Sequence, residues 1–323
     1  MSQVAFGTAQ LFGLADQTRS EQLLDEAWRV GFRRFDTAPS YGGGRSEAHL
    51  GTFLAGRDGL ESITTKVGLA PALGTRRGRR GLVAVAKAVL PAPVTGVLRR
   101  SAHAASRGRF SPPEVTGSVT ESLRRLGGRI DRLVLHEIRP DEVTDELLET
   151  LDAYVRDGDV GQIGVATQNS LTSAALAAGR GMLTVAHFGV GPLDAPVVLP
   201  GEVTVRVGHG LLGGGGDHLR RLEAVLAADP DLTDQWRAAT SGTEFGHSGG
   251  LADVLLARGP HLDVTDVLVA STRVEHVRRV HELASRTAPL PVGILTALTA
   301  LIHQARVRAG HASRTGSRLT FEE

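Results

Sequence analysis

The sequence predicts an α/β fold in which eight parallel strands close into a (β/α)8 barrel, with a long insertion after the third strand. Short β-branched runs alternate with amphipathic segments over roughly 250 residues, the usual length of such a barrel. No G-x-G-x-x-G follows the first predicted strand, as an open dinucleotide-binding sheet would require. Polar residues end four successive predicted strands, and a closed barrel brings such ends onto one face. These residues are Asp36, Lys66, His136 and Thr167.

The predicted strands are short apolar runs, most of them rich in valine, isoleucine or threonine. Each is separated from the next by a longer stretch, so the strands are expected to run parallel. They cover residues 4–7, 32–36, 62–66, 131–137, 161–167, 183–190, 203–209 and 264–272.

The predicted helices follow from start and stop signals combined with apolar residues at helical spacing. The first opens on Ser20, a favourable N-cap, and stops before Gly31. A second, within residues 111–128, has proline near its start and glycine at its end. The others cover residues 46–54, 145–157, 173–181 and 273–284.

Two regions interrupt this alternation within a single barrel domain that we expect to span residues 1–323. Residues 70–111 carry the basic clusters TRRGRRG and LRRSAHAASRGR, and we expect a lid over the barrel. Such a lid either attracts a phosphate or carboxylate group or is simply a solvated surface. Residues 210–250 are expected to form a flexible loop region, in which GGGG is a weak signal for a phosphate cradle because no Lys or Ser adjoins it.

The composition excludes several classes of protein. A formal net charge of +1 gives no general attraction to nucleic acid, and no segment approaches the apolar length of a membrane span. The chain has no cysteine, which excludes disulfides and thiol nucleophiles, and its histidines show no metal-ligand spacing. Because no signal peptide is recognisable, we expect a cytoplasmic protein. Because the histidine spacing indicates no metal site, we expect no metal.

Four side chains form the candidate catalytic group: Asp36, Tyr41, Lys66 and His136. A phenol has an ordinary pKa near 10, and a neighbouring ammonium is expected to lower the pKa of Tyr41. The carboxylate would orient the lysine, and the histidine would hydrogen-bond a substrate oxygen. Together they predict an acid aimed at a carbonyl oxygen that gains negative charge. Taken alone, Asp36 could instead cap a turn and Tyr41 could be a packed aromatic. Lys66 could be a surface charge and His136 a core histidine.

These residues lie in motifs that resemble the aldo-keto reductase family. FDTAPSYGGGRSEAHLG is similar to the family pattern D-T-A-x-x-Y-G-x-(G)-x-S-E-x-x-L-G, and TTKVG and DRLVLHEIRP resemble its lysine and histidine segments. FGTAQLFG and VGQIGV also fit, so the resemblance covers essentially the whole chain. It implies a (β/α)8 barrel that uses NADPH (NADP+) to reduce an aldehyde or ketone, with Tyr41 as the acid.

The resemblance also implies where the cofactor would bind. Thr167 and Gln168 stand near the family's Ser-Asn pair, His187 replaces a glutamine, and Gly208 or His209 replaces an aromatic residue. Near the end, VASTRVEHVRR resembles the nucleotide segment, in which a helix N-terminus can hold phosphate. The cofactor residues implied in all are Thr8, Thr167, Gln168, His187, Gly208, His209, Ser271, Thr272, Arg273 and His276.

The leading hypothesis is therefore an NADPH-dependent oxidoreductase acting on a small-molecule carbonyl compound, such as a sugar or a natural-product intermediate. The altered cofactor positions keep an alternative open, in which a lyase, epimerase or dehydratase uses the Tyr41–Lys66 pair without a redox step. A non-catalytic barrel is a third possibility. We expect a monomer or weak homo-oligomer that binds neither nucleic acid nor membrane.

Overall fold

Eight parallel strands close into a barrel in which each strand pairs with its neighbours in the sequence and the last pairs with the first. The computed structural model describes residues 2–11, 17–69 and 108–316. The prediction of a (β/α)8 barrel is confirmed. The strands are β1 (Gln3–Gly7), β2 (Arg34–Asp36), β3 (Ser62–Val67), β4 (Ile130–His136), β5 (Val160–Ala166), β6 (Val185–Gly189), β7 (Val205–His209) and β8 (Asp266–Val269).

The helices of the described residues surround this barrel. They are α1 (Gln17–Val30), α2 (Arg45–Leu54), α3 (Pro112–Arg125), α4 (Asp145–Arg156), α5 (Asn169–Ala178), α6 (Asp217–Ala227), α7 (Pro230–Thr240), α8 (Gly250–Ala257), α9 (Val274–Ala284) and α10 (Val292–Gly316). Ser20 lies inside α1 rather than at its cap, since the helix already begins at Gln17, and its buried hydroxyl donates a hydrogen bond to Leu11 O at 2.6 Å.

The prediction of a flexible loop over residues 210–250 is wrong for most of that range, which contains α6 and α7. Helix α7 has Pro230 at its first position, and Asp229 caps it by accepting a hydrogen bond from Leu232 N at 3.2 Å. Helix α10 packs over α6 and α7. In the sequence, glycines and charged residues make the helical spacing of apolar residues in these segments hard to recognise. The two helices are stabilised by tertiary packing.

The predicted lid falls mostly on residues 70–107, which lie outside the described residues. The chain on either side of that segment is joined by a hydrogen bond from Arg109 N to Gly68 O at 3.4 Å. Phe110 is buried against the same glycine, where an added Cβ would lie 2.1 Å from the ring. The two ends of the insertion are therefore held together at the top of β3.

Two apolar clusters stabilise the fold. The larger one lies between the outer face of the strands and the helices and includes Phe35, Leu133 and Val165. The smaller one fills the barrel, where neighbouring strands contribute Val134, Ala166, Val185, Val205 and Val207. Because side chains alternate along a strand, the inward positions beyond this cluster project into the carboxyl end of the barrel.

An ion cluster closes the opposite, amino-terminal end of the barrel. Asp266 is 1% exposed, and its carboxylate accepts hydrogen bonds from Arg34 at 3.2 Å and from Arg132. The cluster therefore joins β2, β4 and β8 across the barrel interior. Among the helices of the described ranges, none is long and apolar enough to cross a membrane.

Asp266→Ala should lower the free energy of unfolding by about 3 kcal/mol, because it leaves the partly buried Arg132 without its carboxylate and Arg34 with Glu61 alone. The matched control is Asp263→Ala, whose carboxylate is 86% exposed and pairs with Arg206 at 3.0 Å. We expect the control to cost less than about 1 kcal/mol. Denaturant unfolding measures both, and equal losses in the two variants would contradict the structural role of Asp266.

Candidate active site

The four predicted catalytic residues line one cavity of about 840 Å³ at the carboxyl ends of the strands. Asp36 ends β2, Lys66 lies near the end of β3 and His136 ends β4. These strands are neighbours in the barrel, so the three side chains converge from adjacent positions. Tyr41 reaches the same cavity from the loop that follows β2.

Lys66 and Asp36 form a buried ion pair. They are 5% and 3% exposed, and the Lys66 ammonium donates hydrogen bonds to Asp36 Oδ1 and, at 3.0 Å, to Thr37 O. Burial alone would lower the pKa of the Lys66 amine, but the charge of Asp36, joined by that of Tyr41 when the phenol is ionised, outweighs burial and raises the pKa above its ordinary value. Lys66 is therefore a fixed positive charge.

The glycine triplet places Tyr41 over this ion pair. Gly42, Gly43 and Gly44 all have left-handed φ angles, of 59°, 69° and 84°, so that the chain turns tightly between β2 and α2. The Lys66 Nζ lies 5.2 Å from the centre of the Tyr41 ring. The rings of Tyr41 and His136 are perpendicular, with centroids 6.3 Å apart.

The structure corrects the expected direction of the Tyr41 pKa. Burial raises the pKa of the phenol, the charge and hydrogen bond of Lys66 oppose the rise, and Asp36 adds to it. The net effect is a pKa above the ordinary value, because burial disfavours the phenolate more than Lys66 stabilises it. Tyr41 therefore keeps its proton at neutral pH, as a proton donor requires.

Ser46 and Glu47, the Ser-Glu pair of the first motif, form hydrogen bonds that hold the loop carrying Tyr41. The Ser46 hydroxyl donates to Thr8 Oγ1 at 2.7 Å. The fully buried Glu47 carboxylate accepts hydrogen bonds from Thr65 and Ser122, both at 2.7 Å, and from Arg125 at 3.0 Å. These contacts tie α2 to β1, β3 and α3, so the chain on both sides of Tyr41 is anchored.

Thr8, predicted to contact cofactor, belongs to this support instead. Its side chain is fully buried, and its hydroxyl donates to Asp36 O at 3.0 Å. Gly208 is also displaced from its predicted role. It is buried outside the lining, where an added Cβ would meet Val190 at 2.9 Å and Val264 at 3.0 Å.

Two predicted histidines do face the cavity. His187 is 1% exposed, and its Nδ1 lies 3.7 Å from Asp36 Oδ2, beyond hydrogen-bonding distance. Within the described part of the chain, neither Asp36 Oδ2 nor His187 Nε2 has a hydrogen-bond partner. Burial and the charge of Lys66 lower the pKa of His187, and the same causes lower that of His209 to about 4. Both imidazoles are therefore neutral.

The loop after β5 forms another wall. Thr167 and Gln168 line the cavity as predicted, with the Thr167 hydroxyl 3.0 Å from that of Thr172. Asn169 also lines it, but its amide is used to tie down the next loop. Asn169 Nδ2 donates to Gly189 O at 2.9 Å and to Ala195 O at 2.6 Å, while its Oδ1 accepts from Gly189 N.

The predicted nucleotide residues come directly after Ala270, the lining residue that follows β8, and are not themselves part of the lining. Ser271 Oγ accepts a hydrogen bond from Arg273 N at 3.1 Å and so shapes the start of α9. Arg273 is exposed and pairs with Glu275 at 3.0 Å. Thr272 is half-buried and His276 is exposed.

Sequence reasoning missed other lining residues, among them Gln10, Glu137 and Asp194. Glu137 directly follows His136, so its nearness to the site could have been inferred from the strand end. Its backbone has a left-handed φ of 60°, which no sequence pattern indicates for glutamate. Asp194 lies in the β6–β7 connection, where its carboxylate accepts a hydrogen bond from Gly191 N at 2.7 Å.

The cavity has a size and a glycine-rich wall that suit a small-molecule or cofactor site. Its volume falls in the range of small-molecule and cofactor sites, about 300–1,000 Å³. The backbone of residues 213–216 lines it directly before α6, and an added Cβ at Gly213 would come within 2.5 Å of Asp217 and His218. No group of three or more His, Asp or Glu residues that could hold a metal occurs among the residues described.

Comparison with known proteins agrees with this geometry. A model of the aldo/keto reductase family matches residues 3–184, more than half of the chain. The chain is 34% identical to a pyridoxal 4-dehydrogenase from Microbacterium luteolum over 143 residues, which are 42% of this chain and 39% of that protein. It is 30% identical to a D-threo-aldose 1-dehydrogenase from a Pseudomonas species over 189 residues, 56% of this chain and 54% of the relative. The chain thus spans about half of these relatives' length or less.

Solved structures share the barrel over nearly their whole length. A glycerol dehydrogenase from Gluconobacter oxydans superposes with a TM-score of 0.65 at 18% identity, covering 94% of this chain and 91% of that one. An aldo-keto reductase from Bacillus halodurans in its holo form gives 0.64 at 18% identity, covering 93% and 91%. At this identity the likeness shows a common fold.

His209→Gln should make the stability of the protein less sensitive to acid. The folded protein lowers the pKa of His209 to about 4, whereas the unfolded chain takes up this proton near 6.5. The lowered pKa stabilises the folded state at neutral pH, and this stability is lost as the pH falls from about 6.5 towards about 4. Between about pH 7 and about pH 5, the wild type should therefore lose about 2 kcal/mol more than the variant.

Denaturant unfolding of both proteins at the two pH values measures this difference. His303→Gln, on the exposed side of α10, is the control and should behave like the wild type. Identical pH dependence of the wild type and His209→Gln would show that this imidazole is protonated as readily in the folded state as in the unfolded chain.

Proposed function

This chain belongs to the aldo/keto reductase family, and on that premise we propose that it reduces an aldehyde or ketone with NADPH, using Tyr41 as the general acid. One observation carries the proposal: Tyr41, Lys66, Asp36 and His136 line a single cavity large enough for a cofactor and a small substrate. The two curated relatives are both named as dehydrogenases, which supports chemistry between a carbonyl compound and an alcohol.

The nicotinamide supplies a hydride when it is bound. As the substrate carbon accepts this hydride, the carbonyl oxygen gains the electron pair of the broken π bond and becomes basic. Tyr41 gives its proton to that oxygen, and the resulting phenolate is stabilised by the Lys66 ammonium. Asp36 keeps the ammonium in place. In the reverse direction, the phenolate removes the proton of an alcohol or of a sugar hemiacetal.

His136 has a different role in this scheme. It lies beside Tyr41 at the end of β4, so its imidazole can donate a hydrogen bond to the same substrate oxygen. Tyr41 and His136 would then together define the position of the substrate oxygen. This positioning supplies part of the rate enhancement.

Different residues of the described chain would hold different parts of the cofactor. The lining residues that would hold the nicotinamide are Thr167, Gln168, His187 and His209. The backbone N–H groups of Gly214 and Gly215 would bind the pyrophosphate before α6, since those of Gly213 and Gly216 donate to Gly210 O at 2.7 Å and to Gly213 O at 2.9 Å. Arg273 and His276, exposed near the start of α9, would meet a 2′-phosphate. The choice of NADPH over NADH depends on these last contacts.

Tyr41→Phe should reduce the rate of carbonyl reduction by about 10²-fold or more, since it removes the proton donor while retaining the ring. Steady-state oxidation of NADPH with a panel of aldehydes, ketones and sugars measures the rate. The affinity for NADPH, followed by nicotinamide fluorescence, should change little. The rate of the wild type should stay level from neutral pH up to the ordinary phenol pKa of about 10, because burial raises the pKa of Tyr41 above its ordinary value.

Two results would overturn this assignment. Full activity in Tyr41→Phe would show that another group protonates the substrate. Failure of the wild type to bind NADPH at hundreds of micromolar would favour a non-redox reaction that uses Tyr41 and Lys66 as acid and base.

Arg273→Ala should weaken NADPH binding about tenfold or more and leave NADH binding within about twofold, because only NADPH carries the 2′-phosphate. Dissociation constants for both cofactors, measured by fluorescence titration, test this. Arg278→Ala is the matched control, since Arg278 is exposed on the same helix. Equal losses for the two cofactors would show that Arg273 acts elsewhere than at a 2′-phosphate.

A further inference from the structure

We propose that His187 is a positioning residue for proton transfer, whose Nδ1–H group donates a hydrogen bond to Asp36 Oδ2 and so holds this carboxylate beside Lys66. The role rests on the proposed reductase function, because it concerns how Lys66 and Tyr41 act there. It adds to the place of the same imidazole in the cavity wall.

His187 reaches Asp36 across the interior of the barrel. Strand β6 lies opposite β2 in the ring of eight strands, so the two do not pair. The His187 side chain points inward, because Val185, two residues earlier on β6, belongs to the apolar cluster that fills the barrel. From this position its Nδ1 lies 3.7 Å from Asp36 Oδ2.

The carboxylate of Asp36 has one oxygen that needs a donor. Asp36 Oδ1 accepts a hydrogen bond from Lys66, whereas Oδ2 is buried and has no partner within the described ranges of the chain. A buried carboxylate oxygen without a donor is costly, and native structures nearly always supply one. The buried imidazole of His187 is placed to supply it.

Burial also determines which nitrogen of His187 carries the proton. Burial and the charge of Lys66 hold the pKa of His187 well below its ordinary value, so the ring is neutral and has a single N–H. A proton on Nε2 would be a buried donor without a partner among the residues described, while the lone pair of Nδ1 would face Asp36. A proton on Nδ1 avoids both costs. Rotation about χ2, which varies broadly in histidine, can bring Nδ1–H within hydrogen-bonding distance of Oδ2.

This hydrogen bond favours the ionised form of Asp36. Burial raises the pKa of Asp36, and the charge and hydrogen bond of Lys66 only partly oppose that rise. A second donor opposes it further, so the carboxylate stays charged to a lower pH. Once Asp36 gains a proton, the burial of Lys66 is no longer offset by that charge, and the ammonium is less able to stabilise the Tyr41 phenolate.

The charged and titratable groups around this contact come from several elements. They are Lys66 on β3, Arg132 and His136 on β4, His209 on β7, and Tyr41 after β2. Besides burial, the first four groups all oppose protonation of His187, so the imidazole itself gains a proton only well below pH 6.5. A change in the acid limit of the reaction between His187 variants therefore reports on Asp36.

Three substitutions separate the two ring nitrogens. His187→Asn can place an amide N–H where Nδ1 lies, His187→Gln can place one where Nε2 lies, and His187→Leu has no donor. Single-turnover oxidation of NADPH, with the carbonyl compound that the wild type reduces fastest, measures the rate. At neutral pH, His187→Leu and His187→Gln should be about tenfold slower than the wild type, and His187→Asn within about threefold of it.

The pH dependence of the same rate is the more specific readout. In His187→Leu and His187→Gln the acid limb should move to higher pH by about one pH unit, because Asp36 gains its proton more readily. In His187→Asn it should stay near the wild-type position. Val185→Ala is the matched control, since it removes a fully buried inward side chain of the same strand. It should lower stability and leave the acid limb in place. Circular dichroism checks that the variants fold.

The outcomes separate this role from the proposed function. Any loss of NADPH affinity should be similar in the three variants, since each removes the same ring. Equal rates and equal acid limbs in His187→Leu and His187→Asn, with reduction that still depends on Tyr41, would overturn the role of His187 and leave the reductase assignment standing. Weaker NADPH binding with an unchanged acid limb would also overturn it. Absence of NADPH-dependent reduction by the wild type would overturn both.

Discussion

The buried ion pair between Lys66 and Asp36 is the interaction on which the rest of the site depends. Two opposite charges, each almost inaccessible to solvent, lie at the ends of neighbouring strands and fix each other's position. Such a pair is costly to desolvate, so it persists only where the surrounding structure holds it in good geometry. The closed barrel supplies that geometry, since β2 and β3 are both fixed by their partners on either side. Tyr41 is then placed against a permanent positive charge.

Buried residues outside the cavity also hold the site in position. Thr8, Ser46 and Glu47 never reach the cavity, yet their hydrogen bonds anchor the loop that carries Tyr41 to three different elements. Glu47 is a fully buried carboxylate with three hydrogen-bond donors, which is what a buried charge requires. The first motif of the sequence therefore combines Tyr41, the proposed proton donor, with several residues that hold it in place.

The sequence predicts the fold well because the β-α alternation and the strand-end polar residues are local patterns. The structure brings together all four predicted catalytic residues, and it confirms the barrel. The features that sequence patterns do not indicate are those that depend on burial. The sign of the Tyr41 pKa shift, the enclosure of Thr8 and the left-handed backbone of Glu137 arise only when distant segments meet. Likewise, α6 and α7 are stabilised by α10, which lies more than fifty residues further along the chain.

The hydrogen bond between Arg109 N and Gly68 O has a consequence for how such barrels diversify. It joins the start and the end of the insertion at the carboxyl end of β3, where the Phe110 ring packs against Gly68. We call this junction the stem of the insertion. Doubling the length of a loop closed on such a stem costs only about 0.6 kcal/mol. The intervening segment can therefore be lengthened, shortened or exchanged for another while Lys66, a few residues before the stem, keeps its place. Evolution can therefore change the length and sequence of this segment without moving Lys66.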